Sequence, residues 1–126
     1  MAMQLQGQSP LWTQQYGTPA YDAGFSVSKT FDGGFIVGGI TTNDNNTKDI
    51  LLIKLNATGD TLWTKTYAMP GTETAYSVTV TNGNYYLITG KTNTDSAQQV
   101  TTDYNAFALK VNTLGHVIFY QTYGSP

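Results

Sequence analysis

The chain of 126 residues has no cysteine, one histidine and charged side chains at only 11% of its positions. Without cysteine there is no disulfide staple, no thiolate metal site and no thiol nucleophile, so order must come from burial and backbone pairing. Arginine is also missing: the six basic residues are Lys29, Lys48, Lys54, Lys65, Lys91 and Lys110, scattered singly in a chain of formal net charge −2. A phosphate backbone calls for a basic stripe, so nucleic acid is not an expected partner. Unbroken apolar stretches stop at four residues, as in Ile50 to Ile53, against the roughly 20 that a membrane-crossing helix requires. No membrane partner is expected. Met1 to Pro10 lacks a basic region followed by an apolar one and does not read as a signal peptide. It is expected to be a disordered tail, or one added in cloning.

Helical signals are scarce as well. No window keeps an apolar stripe at i, i+3, i+4 and i+7 without a glycine, an asparagine cluster or a β-branched run crossing it. Threonine, tyrosine, valine and isoleucine are plentiful, which favours pleated strands. What the chain does contain is a repeat. A shift of 51 places lays Leu11-Trp12-Thr13 on Leu62-Trp63-Thr64, Tyr16 on Tyr67, Phe25-Ser26-Val27 on Tyr76-Ser77-Val78, and Gly39 on Gly90. Further along, the shift becomes 56: Lys54-Leu55-Asn56 meets Lys110-Val111-Asn112, Gly59 meets Gly115, Trp63 meets Phe119 and Tyr67 meets Tyr123. Five residues are inserted between Thr92 and Asn105.

Each unit reads as four short strands. The first has Phe25 to Thr30, Phe35 to Ile40, Ile50 to Leu55 and Leu62 to Tyr67. The second has Tyr76 to Thr81, Tyr85 to Lys91, Phe107 to Asn112 and Ile118 to Tyr123. Gly33, Gly59 and Gly115 fall in the joints, where a tight turn needs positive φ. Ile50-Leu51-Leu52-Ile53 is apolar on both faces, which demands a neighbouring sheet on each side. A repeated four-stranded sheet of about 50 residues is the pattern of a propeller blade. Blade one is expected over about 20–67 and blade two over about 71–123, with Leu11 to Tyr16 left as a surplus strand of outermost type.

The pattern Tyr16-Gly17, Asp22-Ala23, Ser26-Val27, Asp32-Gly33-Gly34-Phe35-Ile36-Val37-Gly38-Gly39, Asp49, Ile53-Lys54-Leu55, Gly59, Leu62-Trp63 and Lys65-Thr66-Tyr67 resembles the β-propeller repeats of bacterial and archaeal surface and secreted proteins, SBBP-type repeats included. The resemblance covers Leu11 to Pro126. It implies stacked blades and an extracellular or cell-surface parent protein, and it brings no shared catalytic residues. The second unit departs from it: Asn82-Gly83-Asn84-Tyr85 replaces the double glycine, Glu73 stands for Asp22, Asn105 for Asp49 and Ala68 for Gly17.

The expected fold class is all-β, a β-propeller with two four-stranded antiparallel blades per chain. Propellers typically close with at least four blades. Two blades cannot close alone, and both outer flanks are expected to be broadly apolar. Burial at ~25 cal/mol per Å² then favours a homo-oligomeric ring of two, three or four chains, with three preferred. A fragment or engineered piece of a longer propeller would close the same ring. The surplus strand can exchange onto the open edge of another copy. It can also compete with the Ile118 to Tyr123 strand of the preceding subunit; the alternatives are a frayed remnant or a cover on the outer edge that does not latch the ring.

The expected function is noncatalytic: a ring that serves as scaffold or interaction surface, through the loops Thr41 to Lys48 and Asn93 to Tyr104. A lectin-like carbohydrate- or protein-binding propeller is the alternative, with Tyr21, Asp44, Asn46 and Tyr104 as ligand-binding candidates. A glycan-active enzyme ranks third. It would need paired carboxylates such as Asp95 and Asp103 or Asp44 and Asp49, or a base at His116, which reads instead as a turn residue. No cofactor is expected. The run Asn43 to Asp49 offers oxygen ligands, but an EF-type loop needs glycine at its sixth place and an acid at its twelfth, where Asp49 and Leu55 stand; an irregular Ca²⁺ site is the remaining metal reading. Trp12, Trp63 and Phe119 read as core aromatics. Lys54 and Lys110, in an otherwise apolar strand, read as structural lysines whose ammonium meets a loop carboxylate or carbonyl, with Asp22 or Asp49 available in one unit and Glu73 in the other; substrate-contacting lysines are the alternative.

Overall fold

The computed structural model describes residues 13–44, 46–69, 71–93 and 104–124. The described residues form eight strands and no helix: β1 (Asp22–Lys29), β2 (Phe35–Thr42), β3 (Lys48–Leu55), β4 (Thr61–Tyr67), β5 (Thr72–Thr81), β6 (Tyr85–Asn93), β7 (Asn105–Val111) and β8 (Val117–Tyr123). They make two four-stranded antiparallel sheets in sequence order, β1-β2-β3-β4 and β5-β6-β7-β8. Each sheet has the form of a propeller blade. Positive φ at Gly59 and Gly115 (89° and 83°) lets the β3–β4 and β7–β8 hairpins reverse. Gly33 does the same between β1 and β2, with φ 86°.

β1 and β5 start several residues before the positions that alternation marks. The cause is a β-bulge in each, where register slips between Gly24 and Ser26 and between Ala75 and Ser77. The extra residue breaks the period-2 pattern and turns an aromatic outward. Phe25 and Tyr76 are accordingly exposed, with ring centroids 6.3 Å apart. Opposite the bulges stand Gly39 and Gly90. A Cβ on either would lie 2.0 Å from a backbone carbonyl oxygen, of Ala23 or of Thr74. Gly39→Ala and Gly90→Ala should therefore each cost about 1–3 kcal/mol or more, because backbone must yield. Chemical denaturation with an unchanged midpoint would contradict that.

The sheets pack face to face. Ile36, Ile50 and Leu52 of the first sheet meet Ala75, Val78, Tyr86, Ile88, Phe107, Leu109 and Val111 of the second, all buried. Leu51, Ile53 and Leu55 point the other way and form a smaller cluster with Tyr16, Phe35 and Val37. The sandwiched position explains why β3 is apolar on both faces.

Two expectations change. The described part of the surplus segment, Thr13 to Tyr16, forms no strand; Leu11 and Trp12 lie outside the described residues. Its copy, β4, already occupies the edge of β3 that the repeat assigns to this segment type. The two flanks are also not equally apolar. Where the inward face of blade one carries Ile40, Ile50 and Leu52, the outward face of blade two carries Lys91, Ala106 and Ala108. On the opposite flank Leu51, Ile53 and Leu55 are buried, while Val27 is 63% exposed.

Candidate functional site

The tight turns of both sheets lie at one end, and the 43–47 loop lies at the other, beside the start of β1. There a shallow cleft of 450 Å³ opens among Thr18, Pro19, Ala20, Thr41, Thr42, Asn43, Asp44, Asp49 and Thr66. Its polar groups are largely bonded to one another. The Asn43 side-chain amide donates to Thr47 Oγ1 at 2.6 Å and to both Asp49 oxygens at 3.2 and 3.3 Å, and Asn43 Oδ1 accepts from the Thr47 amide at 3.1 Å. Asp49 is thus buried and engaged, whereas Asp44 and Asn46 are exposed, Asn46 with φ 64°. Among the described residues no three acids, histidines or cysteines converge on one point. Asn43, Thr47 and Asp49 satisfy one another.

Deeper in the same end, each sheet pairs an acid on its first strand with a threonine on its second: Asp22 opposite Thr41, and Glu73 opposite Thr92. Burial would raise the Asp22 carboxyl, but hydrogen bonds from the Thr41 hydroxyl and the Thr18 amide and hydroxyl outweigh it and hold it low. Thr18 reaches Asp22 at 2.6 Å through its amide. Glu73 lies fully buried between the sheets. Among the described residues its Oε1 accepts from Thr92 at 3.1 Å and its Oε2 has no close hydrogen-bond partner, while the Met69 amide favours the charged form and the Tyr120 hydroxyl lies beside Thr92. Desolvation lifts Glu73 to about 7, against the Thr92 bond and with further upward pressure from Asp49.

The aromatic candidates separate. Tyr21 is 69% exposed, and its carbonyl accepts from the Thr42 amide at 2.9 Å. The Tyr104 ring is 50% exposed and carries the Lys91 ammonium on one face, 4.3 Å from its centroid. Asp95 and Asp103 lie outside the described residues. His116 sits in the 112–116 turn at the opposite end, its amide donating to Asn112 Oδ1 at 2.9 Å.

At the turn end the two structural lysines differ. Lys54 is 3% exposed; its ammonium binds Asp32 at 3.0–3.1 Å and the Leu55 carbonyl at 2.9 Å. The partner is neither Asp22 nor Asp49, because both of those stand at the far ends of their strands, across from Thr41. Glu73 likewise does not reach Lys110, which lies over the Tyr85 ring at 4.3 Å. The substitution of Gly83 for Asp32 and Tyr85 for Gly34 exchanges an ion pair for a cation–π contact. In the sequence Asp32 reads only as a turn residue; its replacement by glycine in the second repeat, beside an equivalent lysine, is the signal that could have found it. Hydrogen bonds from Thr30 and Gly34, with Lys54 beside it, hold Asp32 at about 2. Asp32→Ala leaves a buried ammonium with one carbonyl and should cost about 1–3 kcal/mol in urea unfolding at neutral pH. A loss within error would show that Lys54 reaches water.

Trp63 is half-buried and donates through Nε1 to the Thr113 carbonyl at 3.2 Å. Phe119, its counterpart, is 41% exposed rather than a core residue, since no third sheet covers it. Tyr67 is buried and donates to the Gly115 carbonyl at 2.6 Å; burial pushes its hydroxyl up to about 12. Tyr16 makes the matching bond to the Gly59 carbonyl, and burial, then the Asp60 carboxylate, raise its hydroxyl. The repeat alignment puts these tyrosines in register but does not identify their acceptors.

No protein-family model matches this chain, and no curated protein matches it significantly.

Proposed function

We propose that the chain is a noncatalytic, two-bladed propeller unit that assembles head to tail with copies of itself into a closed ring, a scaffold whose loop end offers the interaction surface. One comparison inside the molecule carries the reading. Val78 is 4% exposed where blade one covers it, and Val27, the same residue at the same place in blade one, is 63% exposed where no blade does. A preceding blade, blade two of another copy, would cover Val27, with Thr89 standing where Gly38 lies against Val78. The unlike flanks favour this geometry, because a heterologous contact joins different surfaces and closes when its rotation closes. Three chains, giving six blades, is the preferred ring. The extracellular setting of the parent protein is proposed with it, on the family resemblance of the repeats.

Negative-stain electron microscopy of the purified chain tests the geometry. Discs with a central channel and rotational symmetry are expected. Open arcs, filaments or particles of single-chain size would defeat it.

A further inference from the structure

The two sheets are pinned together by a tyrosine that ends a strand of outermost type and reaches a turn of the next sheet. Tyr67, at the end of β4, gives its hydroxyl to the Gly115 carbonyl at 2.6 Å. Tyr16 gives its hydroxyl to the Gly59 carbonyl, the repeat-equivalent acceptor in blade one. The third tyrosine of the set, Tyr123, ends β8 and is 54% exposed. The set thus has three donors and two repeat-equivalent acceptors.

The two occupied seats are not filled alike. Tyr67 arrives on a strand paired to β3 over its length. Tyr16 arrives on a segment whose described residues, Thr13 to Tyr16, belong to no sheet, and beneath it a cavity of 120 Å³ remains, lined by Val37, Leu51 and Ile53 among others. A second hollow opens beside it at Phe25 and Val27, on the same flank. Tyr123, by contrast, is carried on β8, which is registered against β7 from Val117 to Tyr123. It has the strand pairing that Tyr16 does not show and, among the described residues, no acceptor such as Tyr16 has.

We propose that the Gly59 seat is the docking site for Tyr123 of a second copy of this chain, and that Tyr16 occupies it in the same chain as a competitor that must leave before copies join. The proposal rests on the ring reading and adds a direction to it: the N-terminal tyrosine opposes assembly, and the C-terminal one drives it. Repeat-equivalent residues then have opposite effects. A role confined to the stability of each chain would not separate them.

The test compares Tyr16→Phe and Tyr123→Phe, which remove only a hydroxyl, by sedimentation equilibrium over a range of concentrations. One net hydrogen bond is worth about fivefold in an equilibrium, so Tyr16→Phe should tighten self-association by about fivefold and Tyr123→Phe weaken it by a similar factor. A third variant, Tyr123→Cys with Asp60→Cys, uses the cysteine-free background; a tyrosine side chain holds the two backbones farther apart than the ~7 Å a disulfide spans, so a short bismaleimide linker should join separate chains, seen on a denaturing gel. Rings that form while both phenylalanine variants shift association the same way, or not at all, would overturn the proposal and leave the ring standing. Single chains in every variant, with no cross-link, would overturn both.

Discussion

Val78→Asp should unfold the chain, whereas Val27→Asp should leave each chain folded and abolish its association. The two positions are repeat-equivalent, so propensity, strand and bulge are matched and only the neighbour differs. Val78 packs in the central cluster beside Ile36, Tyr86 and Ile88, and its amide donates to Ser26 Oγ of the facing sheet at 3.2 Å. A carboxylate there would sit against apolar side chains with no cation to meet it, at a cost on the order of 4 kcal/mol or more, a large share of a small domain's stability. On Val27 the same carboxylate is in water and costs the isolated chain little. Its cost appears only when another blade covers it. Circular dichroism melting and particle mass measured on both variants separate the outcomes. Equal melting temperatures would show that the two sheets do not depend on each other.

The second large effect is a pH dependence centred on Glu73. The carboxyl ionises at about 7 in the folded chain, against an ordinary 4.5. Because the folded state holds the proton more tightly, its stabilisation is fully present below about 4.5 and is lost as pH rises through about 7. The separation corresponds to at most roughly 3 kcal/mol. Asp49, whose charge acts in the same direction, and the Thr92 and Met69 hydrogen bonds, which act against it, surround the carboxyl with the Tyr120 hydroxyl. Glu73→Gln keeps an acceptor for Thr92 and has no charge to bury, so it should be more stable than the parent at pH 8 and close to it at pH 4. Parallel stability curves for the two proteins across that range would contradict the assignment.

Much of this architecture was legible in the residues. The paired repeats placed all eight strands, because turn glycines and β-branched runs recur at fixed offsets and each blade is locally consistent. The bulges were not legible: Phe25 and Tyr76 fit the alternation from one side and break it from the other, and only the register shows which side yields. The lysines illustrate a second limit. A buried ammonium in a strand announces a partner, yet which carboxylate it meets depends on which end of the strand it occupies, and Asp32 is nearer than Asp49 only once β2 and β3 are paired. The polarity of the outer flank was hidden in plain substitutions. Ala106 and Ala108 stand where Ile50 and Leu52 do, and their meaning emerges when the facing sheet is known. The loop end offered residues of suitable chemistry, but side chains that bond each other, as Asn43 and Asp49 do, are not distinguishable in sequence from side chains that await a ligand.

Absolute mass by light scattering, coupled to size-exclusion chromatography at micromolar concentration, bears most directly on whether this two-sheet chain completes itself with its own copies. The account predicts one sharp species at an integer multiple of 13.7 kDa, with three chains preferred. A stable peak at 13.7 kDa itself would contradict it.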